Sequence, residues 1–158
     1  MCKLVTLDTN VIDDPDIRSA GCKRSHEVAS ISVTERETRD SPFSVHLHGT
    51  KHVKEVGAWD ESEWGNCVWG GSDNYLEELL QILSDGSFPK NRASLTGGQR
   101  RQLRDAMILE VHLRNGRDIL VTNDARAFIG HGRRQAIEAQ FKTKIMTANE
   151  YIAYCNRS

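Results

Sequence analysis

Long apolar runs are missing. Nowhere do the 158 residues sustain the ~20 consecutive apolar positions of a membrane-spanning helix. The first residues lack the basic flank and apolar core of a secretory leader, so a cytoplasmic protein without a membrane partner is expected. No Cys-x-x-Cys pair occurs among the four cysteines, Cys2, Cys22, Cys67 and Cys155. Their wide spacing suits free thiols in a reducing compartment better than a zinc cluster or a disulfide framework. A dominant charge sign is absent too, the formal net charge being −1. There is no internal repeat, no low-complexity tract, no Gly-rich phosphate loop and no Ser-His-Asp signature. With 38% hydrophobic and 27% charged residues, disorder and collagen-like architecture are also excluded. The length suits a single domain over residues 1–158 with a real core.

Charge is uneven along the chain. From Arg100 to Arg134 stand eight arginines (100, 101, 104, 114, 117, 126, 133 and 134) against Asp105, Glu110, Asp118 and Asp124. Arginine suits forked contacts with phosphate. Arg100, Arg101, Arg104, Arg126, Arg133 and Arg134 are therefore candidate phosphate contacts, although a solvated helix face would look the same.

The pattern predicts alternating strands and helices. "KLVTL" (Lys3 to Leu7) reads as a buried strand, and "DDPDIRSAG" offers Asp14 as cap, Pro15 as first helical residue and Gly21 as stop. "EVASISV" (Glu27 to Val33) is a second strand, after which Thr34 and Glu37 have capping-box spacing and start a helix. Strand, helix, strand, helix implies right-handed βαβ units and a parallel sheet. "PFSVHLH" alternates like a strand that turns at Gly49-Thr50 into a hairpin with "KHVKEV". Residues 41–75 thus read as an insertion, bearing Trp59, Trp64 and Trp69. "NYLEELLQILSDG" is an amphipathic helix ended by Gly86. A long helix starts at Thr96 and stops at Gly116, "DILVTND" is a strand, "RRQAIEAQF" a helix, "TKIMT" a strand and "ANEYIAYC" a final helix.

Four carboxylates can meet in such a fold. Asp8 follows the first strand and Asp124 follows "ILVT", while Glu35 and Glu37 follow the second strand. In a parallel sheet all of these emerge at the carboxyl edge, where ligands gather. Asp105 lies in the first half of the long helix among Leu103, Ala106, Met107 and Val111. An enclosed carboxylate is costly unless it is paired or holds a cation. Converging carboxylates repel unless a dication lies between them, and hard oxygen ligands suit Mg²⁺ or Mn²⁺.

"LVTLDTNVID", "RDAMILEVHL" and "ILVTNDARAF", with an acid after the second strand, resemble the PIN-domain nucleases. That superfamily includes the VapC-type toxins of toxin–antitoxin pairs. The resemblance covers roughly residues 3–40 and 96–150. It implies a three-layer α/β/α fold with a mostly parallel sheet of about five strands. It also implies endoribonuclease activity dependent on one or two Mg²⁺ or Mn²⁺ ions, with an antitoxin protein and a second copy of the chain as partners besides RNA. Asp8, Glu37, Asp105 and Asp124 match the acidic quartet that is both catalytic and metal-binding. Glu35 is the alternative second acid. Thr9, Asn10, Thr122 and Asn123 match the polar residues that steady the quartet.

Each acid also has an ordinary structural use. Asp8 can cap a turn, Glu37 can complete a capping box, Asp105 can pair with Arg101, and Asp124 can cap the segment after it. His46, His48 and His52 hint at zinc but lack a fourth ligand and read as surface imidazoles. Two other functions stay open: a PIN-like RNA-binding or protein-interaction module without catalysis, and a haloacid-dehalogenase-type phosphatase. The phosphatase needs a second acid two residues beyond Asp8, where this chain has Asn10.

Overall fold

The structure is a computed structural model that describes residues 1–47, 50–56, 67–68 and 75–157. Its centre is a sheet of five parallel strands: β1 (Leu4–Leu7), β2 (Glu27–Ile31), β3 (Lys51–Val53), β6 (Ile119–Val121) and β7 (Lys144–Met146), in the order β3-β2-β1-β6-β7. A two-stranded parallel ribbon, β4 (Glu55–Val56) with β5 (Cys67–Val68), stands apart from it. The helices are α1 (Pro15–Lys23), α2 (Ser32–Thr38), α3 (Tyr75–Leu83), α4 (Gly97–Arg114), α5 (Arg133–Gln140) and α6 (Ala148–Asn156). None is long and apolar enough to cross a membrane.

The alternation of side chains along the strands makes the layers. On β6, Ile119 and Val121 join Val5 and Leu7 of β1 in one core with α1 and α6, including Ile17 and Tyr151. Leu120, pointing the other way, joins Ala29, Ile31 and Ile145 in a second core with α3, α4 and α5. Both faces of the sheet are covered, which is why its central strands β1 and β6 are nearly continuous apolar runs.

The order of the strands places the site. The chain runs outward from β1 to β2 to β3, then returns to the far side of β1 for β6 and β7. The reversal lies between β1 and β6, and ligands of open parallel sheets bind beyond the strand ends at such a point.

Local chemistry explains the helix ends. Asp14 accepts from Asp16 N ahead of Pro15, and Thr96 and Gln99 form a complete capping box at α4. The expected stop at Gly21 is corrected: α1 runs through it to Lys23. A Cβ there would lie 2.9 Å from Tyr151 Oη and 3.0 Å from Val28 Cγ2, so this glycine permits close packing.

The capping box expected from Thr34 and Glu37 does not form. α2 starts two residues earlier, at Ser32, and its cap Ile31 makes no side-chain bond. The predicted hairpin is also corrected. Pro42–Leu47 is a 3-10 helix, and Lys51–Val53 pairs in parallel with the open edge of β2. A strand-like alternation gave way there to an available sheet edge. His48, Trp59, Trp64 and Trp69 lie outside the described residues.

Candidate active site

Asp8 stands one residue beyond β1. Its N–H donates to Val121 O at 3.0 Å, which ties it to the end of β6. Its side chain is buried and both oxygens are held: Oδ1 accepts from Thr9 N at 2.7 Å, and Oδ2 accepts from Asn10 Nδ2 at 2.8 Å and Thr122 Oγ1 at 2.7 Å, which leaves an acceptor position on Oδ1. Burial nevertheless pushes its pKa up to about 6; these bonds pull against the rise, and the charges of Glu37 and Asp124 add to it.

The polar residues around Asp8 clasp two loops together. Asn10 Oδ1 accepts from Asn123 N at 2.9 Å, and Thr122 Oγ1 accepts from Asp124 N at 3.0 Å. Thr9 turns the other way, its hydroxyl donating to Glu37 Oε2. Thr9 therefore links the first acid, through its backbone, to the second, through its side chain. The Asn123 side chain serves elsewhere: its Oδ1 accepts from Ala148 N at 3.0 Å and anchors the start of α6.

Asp124 does what an N-cap does. Its Oδ1 accepts from Arg126 N at 2.8 Å and Ala127 N at 2.7 Å, starting the helical turn Ala125–Ile129. Cap and acid are compatible roles, because Oδ2 meets no donor among the described residues. Asp105, half-buried on α4, differs most from an ordinary surface carboxylate. Burial, then repulsion from Asp8, Asp124 and Glu37, raises its pKa to about 8, with Arg101 opposing. Acids from four separate segments thus share one field.

Glu35 is not part of this group. Its Oε1 accepts from Ser30 Oγ at 3.0 Å and pairs with His52 Nδ1, towards β3. Two residues apart on one short helix, Glu35 and Glu37 point to different sides, and Glu37 is the acid beside Thr9.

The donor set is all oxygen, which is the chemistry Mg²⁺ and Mn²⁺ require. Among the described residues, no three His, Cys, Asp or Glu side chains are drawn close enough to enclose an ion as they stand. In chemistry and charge the four acids fit a dication; the close-fitting cage is not formed.

A cavity of about 360 Å³ opens beside Asp105 and Asp124, walled by Arg101, Arg126 and Arg133. Arg100 and Arg104, also on α4, do not line it. Arg134 faces Glu150, at 3.0 Å, on the other side of α5. The sequence reading missed the contribution of Gln99 and Gln102 to this cavity. The capping box at Thr96 was the available signal, since it fixes which turn of α4 comes first.

The fold and site define an α/β protein whose parallel sheet gathers acids at its switch point. Comparison of the chain with protein-family models, with curated proteins and with solved structures finds no match to any of them.

Proposed function

We propose that the protein is a divalent-metal-dependent endoribonuclease of the PIN type. One observation carries this reading: Asp8, Glu37, Asp105 and Asp124, far apart in sequence, raise the proton affinity of Asp8 and Asp105 at the carboxyl edge of the sheet. A purely structural site would pair such charges with cations, and here Arg101 is the one attraction opposing the rise at Asp105.

Asp8, Glu37, Asp105 and Asp124 would hold one or two Mg²⁺ or Mn²⁺ ions. A dication there supplies charge neutralisation at the phosphodiester and activation of water for attack on phosphorus. Asn10 and Thr122 fix both the orientation and the acceptor role of Asp8. Thr9 holds Glu37 towards the same rim. Arg101 and Arg126 are placed to hold the sugar–phosphate backbone beside the acids. An antitoxin and a homodimer belong to this proposal through the family resemblance alone.

The test is cleavage of mixed RNA in Mn²⁺ by the wild type and by Asp8→Asn. Cleavage by the wild type that falls at least ~100-fold in the variant supports the reading, in line with the loss of a principal electrostatic group. Equal rates in both would remove it. The absence of a closed cage favours a second reading, an RNA-binding module without catalysis. Such a module gains no thermal stability from millimolar Mn²⁺, whereas the nuclease does.

A further inference from the structure

We infer that the cavity beside the acids is a subsite for one phosphate-bearing nucleotide of the RNA strand, adjoining the bond to be cut; this rests on the nuclease reading. Its volume, about 360 Å³, falls near the lower end of the roughly 300–1,000 Å³ of small-ligand pockets. It shares Asp105 and Asp124 with the acidic rim, so a strand crossing that rim passes its mouth.

Three arginines wall the cavity, and they are not equivalent. Arg133 is committed to the fold: one guanidinium nitrogen pairs with Asp85 at 2.8 Å and another donates to the carbonyl of Arg126. Arg101 and Arg126 are exposed, and their guanidinium groups meet no hydrogen-bond acceptor among the described residues. Two cations held at the mouth of an acidic site suit a ligand that carries its own negative charge.

The start of α4 adds donors. Thr96 takes the Gln99 N–H on its hydroxyl at 3.3 Å and the Arg100 N–H on its carbonyl at 2.9 Å. Among the described residues no acceptor meets the N–H groups of Gly97 and Gly98, the open donors of the first turn of α4. Gly98 lines the cavity, and a Cβ added there meets nothing within 4 Å. Packing does not call for glycine at this position, so what it leaves is uncovered backbone in the wall of the cavity. Leu83 and Ala127, both buried, supply an apolar floor for a base or ribose.

The test uses fluorescence anisotropy of the full chain with a labelled hexaribonucleotide in Ca²⁺, which neutralises the acids. Arg126→Gln is expected to weaken binding roughly 5–10-fold and to flatten the salt dependence by about one phosphate contact. Gly98→Ala is expected to weaken binding about 3-fold while raising Tm by about 2 °C, because alanine is the better helix former. Loss of binding together with a gain of stability separates a ligand role from a structural one. Adenosine monophosphate should displace the oligonucleotide at concentrations where adenosine does not.

The inference is overturned if both variants bind like the wild type, if adenosine competes equally, or if the wild type binds no RNA. Parallel cleavage assays in Mn²⁺ keep the two ideas apart. Cleavage with unchanged KM in both variants sinks the subsite and leaves the nuclease. Binding lost in both variants, in a chain that never cleaves, sinks the nuclease and leaves the subsite.

Discussion

Replacing Asp105 by Asn should make the protein more stable in the absence of a dication. The Asp105 carboxyl binds its proton with a pKa near 8 in the fold, against 3.8 ordinarily. At about 1.4 kcal/mol per unit, ionising it within the fold costs at most about 6 kcal/mol relative to the unfolded chain. Solvent reaching a half-buried group, together with the unmet polarity of the amide, reduces the expected gain to about 1–3 kcal/mol. For a chain of 158 residues that is a rise of about 3–10 °C in Tm. The sign follows from proton counting. Between pH 4 and 8 the folded state holds the proton that the unfolded state has released, so this contribution to wild-type stability falls as pH rises. Thermal melts in chelator at pH 6 and pH 8 read it directly. The wild type should lose stability from this group across that interval, and Asp105→Asn should not. Millimolar Mn²⁺ should reverse the order, stabilising the wild type and leaving the variant unmoved. A variant no more stable than the wild type in chelator at pH 8 would refute the view that Asp105 is ionised against its neighbours.

Three other outcomes are expected. His112 is fully buried, with Nδ1 2.9 Å from Thr6 Oγ1 and Nε2 2.6 Å from Thr143 Oγ1, and its pKa is pushed down to about 3. The unfolded chain takes up that proton first, so the contribution of His112 to stability should fall by about 1.4 kcal/mol per pH unit below 6.5, read as the difference between wild type and His112→Asn in acid melts. Thr9→Val should slow RNA cleavage about 10-fold by releasing Glu37, with Thr9→Ser restoring it; equal rates in all three would remove the coupling. Asp124→Asn should keep the cap and lose cleavage, whereas Asp124→Ala should also lose about 1 kcal/mol in chemical denaturation.

Much of this arrangement was legible in the chain because the signals were local. "VTLDTN" and "LVTND" each join a buried strand to a terminal acid, and a parallel sheet carries both to one edge without further information. Thr96 caps the long helix as expected, and Gln99 completes the box with it. What sequence could not resolve depended on distant partners. Glu35 and Glu37 are two residues apart on one helix, and only the positions of Ser30 and His52 on one side and Thr9 on the other separate them. Gly21 has every property of a helix stop except that Tyr151, from the last helix, needs its missing side chain. The segment at Pro42 alternates as a strand does, yet the edge of β2 is taken by Lys51–Val53. The cavity was invisible for the same reason, since Leu83, Gly98 and Arg126 come from three separate elements.

Direct Mn²⁺ binding tests most simply whether the acids act as one ligand set. Calorimetric titration should show one or two sites in the wild type, equal affinity in Glu35→Gln, and at least a tenfold loss in both Asp8→Asn and Asp105→Asn. Wild-type affinity retained in Asp8→Asn, or lost in Glu35→Gln alone, would contradict a shared set.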